Sequence, residues 1–438
     1  MSDTKIENLS PFKHGHIKNI LVIKLDHIGD QILSLPAIRL LRQHFKDARI
    51  VGLIGEWSKV IAEYGEIFDE IITYNFFHEN RGGHPENNGK REAELSEKLK
   101  RYKFDLAIDL RRQHQTRRFL MLSGARIKSG YTTDTKEDRL IDIALKSYAD
   151  SYGIKTILNR TNSAIQALNL VKQVIGQFIP PDFLSLKIPS EEIEKSRQKL
   201  TGFGVDFSIR PIIGIHPGAT HPAKQWGVER FKVLADSLLH DFGGQVVIFG
   251  AKEDEKIGND IAANSLNKNL FTSAGKLSLK EFIASTANFD LIIGNDNGAM
   301  HCASAAGIPT ITIFSGRETS VEWSPYHPRS LSIYRDIACS PCHLDNPSDC
   351  KYDFDCIRKI KPEEVVCAVK SLLKNAKIQD DCNYLFVKKY DIFQETPPAV
   401  LPAKKLSVSR IKRIITTYSI KDIIKKCVKK LKSAYSMW

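Results

Sequence analysis

Residues 20–45 read ILVIKLDHIGDQILSLPAIRLLRQHF. Ile20 to Lys24 is a short, almost unbroken apolar run, the pattern of a strand covered on both faces. A loop containing Gly29 closes it, and from Ile32 to Phe45 the apolar residues recur with a helical period. The unit is strand, turn, helix. Short apolar runs return at 49–53, 70–74 and 105–110, separated by stretches long enough for helices. Such alternation predicts a parallel sheet. Residues 77–90 (FHENRGGHPENNGK) are polar and rich in Gly and Asn, which predicts an exposed loop.

The pattern from Asp138 to Gln177 reads as helical, and 178–189, with Pro180 and Pro181, reads as an inter-domain linker. A second alternation follows: IIGIH at 212–216, a helix over 228–241, QVVIF at 245–249 and a helix after Glu253. It continues with a helix over 278–288, DLII at 290–293, a helix over 298–306 and TITIF at 310–314. The expected fold class is α/β, with two Rossmann-like doubly wound domains facing across a cleft. Residues 1–185 form the first, 186–375 the second, and 376–438 a linker and basic tail. In such sheets ligands sit beyond the carboxyl ends of the strands, so the loops there are where chemistry is sought.

Composition narrows the class. A chain of 438 residues with 42% hydrophobic and 26% charged residues is a globular protein of two or three domains. The first 18 residues lack an apolar core, so no secretory signal is read, and no run reaches the roughly 18–20 apolar residues of a membrane span. A cytoplasmic location is expected. Net charge is +13, but residues 401–438 hold eleven Lys and Arg against Asp422 alone, leaving +3 for the other 400. The main body therefore lacks the clustered basic surface that nucleic-acid binding needs. Eight cysteines without a signal fit a reducing compartment.

Three loops carry the chemistry. After the first strand comes Lys24-Leu25-Asp26-His27-Ile28-Gly29-Asp30, and after IIGIH comes Pro217-Gly218-Ala219-Thr220, then Lys224-Gln225-Trp226. Gly and Lys at the opening of a helix suit phosphate, because free N–H groups and the positive end of the helix dipole face the anion. Lys24 and Gly29 are thus candidates for a phosphate or acceptor loop. Neither loop matches the dinucleotide or P-loop fingerprints. After DLII comes Gly294-Asn295-Asp296-Asn297-Gly298-Ala299-Met300-His301. Asp296 and Asn297 suit capping of the following helix as well as ligand binding, and His301 suits packing as well as chemistry.

In order, K-x-D-x-I-G-D with L-P-A-I, H-P-G-A with K-x-W and E-R-F, and G-N-D-x-G-x-M-H with A-x-G-I-P resemble glycosyltransferase family 9, the ADP-heptose:lipopolysaccharide heptosyltransferases. The likeness runs from about Ile20 to Val369. It implies a two-Rossmann (GT-B) fold with the acceptor on the first domain and a nucleotide-diphosphate sugar on the second. It implies inverting transfer of a sugar, heptose foremost, to a lipid-linked glycan of lipopolysaccharide type, with no cofactor and no catalytic metal. Asp30 matches the family's proposed base, and a helix N-terminus suits its negative charge. Lys224 would contact the diphosphate, Thr220 and the amides around Gly298 would add hydrogen bonds, and Asp296, Asn297 and His301 would line the donor pocket. Asp26 and His27 stand where the family often has small hydroxyl residues. Residues 250–254 resemble its acidic loop, with Glu253 and Asp254 both open as the match.

Other features remain. Asp353-Phe354-Asp355 resembles a metal-binding triplet but lies far in sequence from the donor loops. Cys339, Cys342, Cys350 and Cys356 suit either a structural zinc site or free thiols; Cys302, Cys367, Cys382 and Cys427 read as packing or incidental residues. In the tail, Ile420, Ile423, Ile424, Cys427, Leu431, Tyr435 and Trp438 fall near one helical face among six lysines. This basic amphipathic pattern suggests peripheral binding to an anionic membrane surface, against the alternative of a helix packed on the enzyme body. Two other classes are consistent with the architecture: a nucleotide-sugar epimerase and a non-catalytic sugar-nucleotide-binding protein.

Overall fold

The computed structural model describes residues 17–77, 88–132, 140–146, 161–176, 185–263, 267–335, 337–344 and 346–373. The basic tail lies outside these residues, as does most of the loop predicted at 77–90.

Two six-stranded sheets make up the described chain. The first contains β1 (Asn19–Lys24), β2 (Arg49–Ile54), β3 (Glu70–Thr73), β4 (Leu106–Asp109), β5 (Ile127–Thr132) and β6 (Ile143–Lys146), in the order β3-β2-β1-β4-β5-β6. The second contains β7 (Ile212–His216), β8 (Gln245–Ile248), β9 (Leu270–Thr272), β10 (Leu291–Asn295), β11 (Thr310–Ile313) and β12 (Ser330–Ile333), in the order β12-β11-β10-β7-β8-β9. Every pairing is parallel. Both sheets therefore have the same doubly wound order, and the fold is the predicted pair of Rossmann-like halves.

That order decides where a ligand goes. Strand order reverses between β1 and β4 and again between β7 and β10, and loops leaving adjacent strands in opposite directions open a crevice between them. Ile23 is paired with Asp109 and His216 with Gly294, so the loops after these strands begin side by side.

Burial explains the central strands. Ile20 and Val22 join one apolar cluster while Leu21 and Ile23 join another on the opposite face, and all four are 0% exposed. The first cluster includes the helices Ile28–His44 and Ser163–Ile175, and it continues into Ile283, Cys302 and Ala305 of the second half. The segment between the halves is stitched to both: Leu186 N–H donates to Ala305 O at 2.7 Å and Lys187 N–H to Tyr64 O at 2.8 Å.

The helical reading of 138–177 needs correction. Residues 143–146 form β6, an edge strand with alternating exposure, and the helix begins only at Ser163, capped by Asn162. Cys367 is not incidental; it is disulfide-bonded.

One buried ion pair anchors the loop after β4. Arg117 and Asp109 are fully buried and paired, Thr116 Oγ1 donates to Asp109 at 2.8 Å, and Arg117 Nε donates to Tyr131 O at 2.8 Å. Arg117 Nη2 also donates to the carbonyls of Arg111 and Arg112, at 2.8 and 3.2 Å. Asp109→Ala would leave a buried guanidinium without its counter-ion. We expect it to lower unfolding free energy by about 3–5 kcal/mol, measured by chemical denaturation. A loss under about 1 kcal/mol would mean that the pair does not hold the loop.

Candidate active site

The first wall of the cleft is the loop after β1. His27 stands at the N-cap of the Ile28–His44 helix without a side-chain cap bond, and Asp30 lies in its first turn, part-exposed. Ser34 Oγ donates to the Asp30 carbonyl at 2.8 Å, leaving the carboxylate out of that bond. Lys24, expected to face an anion, is instead turned inward and only 6% exposed. Its ammonium pairs with Asp26 at 2.8 Å and donates to Leu110 O at 3.3 Å. Burial lowers its pKa to about 8, against the opposing charge of nearby Asp30. Asp26 also pairs with Arg111, and its carbonyl accepts from Trp57 Nε1 at 2.8 Å.

The second wall joins the loops after β7, β8, β10 and β11. Asn297 is the N-cap of the Gly298–Ala305 helix: its Oδ1 accepts from the amides of Ala299 and Met300 at 2.9 and 3.3 Å. Its amide nitrogen donates to Gly218 O at 2.7 Å and lies 3.0 Å from His216 Nδ1. The side chain is thus occupied in pinning the loop after β7 to the helix. Fully buried Asn295 does the same one step deeper, donating to Pro217 O at 2.6 Å and accepting from Trp226 N–H at 3.2 Å. These bonds place Lys224, whose ammonium meets Asp296 at 2.6 Å. Burial raises the Asp296 pKa, with Lys224 opposing. Thr220 is exposed on the same loop.

Of the two acidic candidates after β8, Asp254 faces inward and Glu253 is exposed. A methyl group on Gly218 would meet the Asp254 carboxylate oxygen at 2.1 Å, so a side chain there would displace that carboxylate. Asp254 accepts from Ala251 N–H at 3.0 Å.

The two walls touch. A methyl group on Gly29 would lie 2.9 Å from His301 Cδ2, and one on Gly298 would lie 3.6 Å from Ile28 Cβ. His301 is 5% exposed, and its Nδ1 has no hydrogen-bond partner among the described residues. Burial, aided by the positive charge of Lys224, pushes its pKa down to about 4.

Several contributors were not singled out from sequence. Arg111 and Arg112 lie in the loop after β4, and Arg112 pairs across the cleft with Glu322. In the loop after β11, Glu318 pairs with Arg317 and with His343 Nδ1, the latter at 3.2 Å. Burial would raise the Glu318 pKa, but the His343 bond and the charges of His343, Lys224 and Arg317 bring it below the usual carboxylate range. The only sequence signal for the arginines is the run RRQHQTRR directly after a strand.

The four clustered cysteines are free thiols lying against this loop. Cys356 Sγ would be 3.4 Å from a methyl on Gly316, Cys342 N–H donates to Gly316 O at 3.0 Å, and Phe354 N–H donates to Cys350 Sγ at 3.3 Å. Among the described residues no three His, Cys, Asp or Glu side chains are grouped to hold a metal ion. Asp353 and Asp355 instead pair with Arg358 and Lys359.

The His301 environment gives a pH dependence. Between the ordinary imidazole value of 6.5 and about 4, the unfolded chain binds a proton here that the folded chain does not. Stability is therefore lost as pH falls through that range. His301→Leu should lack this component, on the order of 3 kcal/mol between pH 7 and pH 4. Parallel stability–pH curves for the two proteins would refute a buried neutral histidine.

Known proteins share this fold. The sequence model of Glycosyltransferase family 9 (heptosyltransferase) matches residues 93–351, more than half of the chain. Lipooligosaccharide heptosyltransferase 2 of Campylobacter jejuni is 26% identical over 358 residues, covering 80% of this chain and 97% of that protein. Lipopolysaccharide heptosyltransferase 2 of Escherichia coli is 27% identical over 303 residues, covering 67% and 82%. Among solved structures, a family 9 glycosyl transferase from Veillonella parvula superposes with a TM-score of 0.67 at 21% identity, covering 82% of this chain and 98% of that one. The E. coli ADP-heptose lipopolysaccharide heptosyltransferase II gives 0.63 at 20% identity, covering 82% and 99%. With two doubly wound halves and ligand loops meeting at both switch points, the chain belongs to glycosyltransferase family 9 and is a glycosyltransferase.

Proposed function

We propose that this enzyme transfers heptose, with inversion, from a nucleotide-diphosphate heptose to a lipid-linked glycan of lipopolysaccharide type. The observation that carries this reading is the contact of the two walls. Gly29 abuts His301, so the loop bearing Asp30 faces the two loops that bear Lys224 and Asp296. Heptose is the sugar in the names of the matched relatives, and the E. coli enzyme of known structure is named for ADP-heptose.

In this reading each wall supplies one half of the reaction. Asp30 accepts the proton of the acceptor hydroxyl as its oxygen attacks the anomeric carbon. Lys224 faces the diphosphate, whose negative charge grows as the glycosidic bond breaks. An ammonium has three donors, so Lys224 can keep Asp296 and still bind a phosphate oxygen. The Gly298–Ala305 helix, opening on the cleft, adds the positive end of its dipole. Asn297 serves by holding the loops in place, and Asp254 lies beside the same turn. An epimerase needs no acceptor base on the opposite wall, and the family match does not favour it.

The reading is tested by nucleotide release from a panel of donor sugars, with and without a lipopolysaccharide core fragment. Asp30→Asn should keep ADP affinity while reducing transfer by about 10²–10⁴-fold, because an amide cannot take the proton. Near-normal transfer by a folded Asp30→Asn protein would remove Asp30 as the base, and nucleotide release without any acceptor dependence would remove the transferase reading.

The basic tail supports peripheral attachment to an anionic membrane where lipid-linked acceptors reside. At about 1 kcal/mol per engaged Lys or Arg, a few contacts hold the enzyme reversibly. Full-length protein should sediment with anionic vesicles at low salt and be released at high salt, whereas a chain lacking 397–438 should stay in solution. Equal sedimentation of both proteins would overturn the attachment.

A further inference from the structure

Two consecutive arginines connect the walls of the cleft in opposite directions. Arg111 pairs with Asp26, only 2% exposed, and its guanidinium lies 4.4 Å over the Phe77 ring. Asp26 immediately precedes His27, the N-cap of the helix that bears Asp30. Arg112 turns the other way, pairing with Glu322 in the second half, with side chains 11% and 7% exposed. It also donates to Gln166 Oε1 at 3.3 Å and lies 5.1 Å over the Trp323 ring. A second tether runs alongside, from Asn162 Nδ2 to Ser324 O at 2.9 Å. Glu322 and Trp323 belong to a short helix capped by Thr319, directly after Arg317 and Glu318. Both arginine carbonyls are fixed by the same buried Arg117, so the two side chains share a rigid base.

We propose that Arg111 and Arg112 are positioning residues that set the base loop in register with the donor-side loop. Arg112–Glu322 docks residues 315–324 against the first half, and Arg111–Asp26 passes that position to the loop carrying Asp30. Both pairs are largely removed from water, where breaking one partner leaves a poorly solvated charge. The arrangement is therefore two-valued, docked or undocked, and a nucleotide diphosphate that orders the donor loop also orders the base loop. This rests on the transferase reading above, in which the donor-side loop receives the nucleotide.

The test uses the full chain and ADP. Amide hydrogen exchange is followed in residues 26–34 and 315–324 with and without ADP, in wild type, Arg112→Gln, Glu322→Gln and the exchange Arg112→Glu with Glu322→Arg. In wild type ADP should slow exchange in both segments. In the single variants it should slow 315–324 alone, while ADP affinity stays within about threefold and kcat falls by about tenfold or more. The exchanged pair should regain joint protection and part of the lost kcat, which separates a directional ion pair from general damage to folding. Joint protection that persists in the single variants, or an exchanged pair no better than either single variant, would overturn the proposal. The exchange measurement does not depend on turnover. If wild type transfers no heptose yet shows joint protection, the coupling stands and the substrate assignment falls.

Discussion

Two helix N-termini meet edge to edge, so close at Gly29 that a methyl group there would press on the opposing His301 ring. Gly29 opens one helix, Gly298 opens the other, and His301 fills the space between. The rest of the cleft depends on this contact, because it sets the acidic loop of one sheet opposite the cationic loop of the other. At Gly29 a side chain would press on the His301 ring at 2.9 Å, whereas at Gly298 a methyl group would make ordinary contact with Ile28 at 3.6 Å. The cost is a buried imidazole whose Nδ1 has no partner among the described residues. Such a group is tolerated because burial keeps it neutral near physiological pH.

Around that contact, charge is arranged in nested layers. Lys24, Asp26 and Arg111 pair around the Asp30 loop, while Lys224 pairs with Asp296 and Arg317 with Glu318 on the opposite wall. Few of these groups face water directly. The ion pairs act less as a source of net stability than as a means of giving each loop one geometry, since buried charges leave few alternatives once paired. Asn295 and Asn297 add neutral bonds that join three loops of the second sheet.

The central strands were legible because a strand covered on both faces must be apolar throughout, as ILVIK, IIGIH and QVVI are. Edge strands follow another rule. IALK at β6 alternates between part-buried and exposed positions, and SLSI at β12 buries two serines that bond neighbouring hydroxyls, so neither announces itself as core. At the site, Gly and Lys in loops after strands pointed to loops that the fold brings together at the two switch points. They did not tell whether a lysine faces in or out. Lys224 meets the cleft while Lys24 is buried, and that difference depends on Asp26 and on the Leu110 carbonyl, the latter 86 residues away in sequence. Arg112 and Glu322 were invisible for a related reason: isolated charges in polar loops look like solvated surface until the fold brings them together across 210 residues.

The apolar cluster shared by both halves has a mechanical consequence. Helix Ile28–His44 packs against helix Gly298–Ala305, and Cys302 and Ala305 belong to the same cluster as Ile38 and Leu41. Swinging the halves apart about residues 185–189 would expose that patch to water, at roughly 25 cal/mol for each Å² uncovered. Sliding one helix along the other would keep it covered. The packing thus favours a slide along a greasy seam over a swing that parts the two halves.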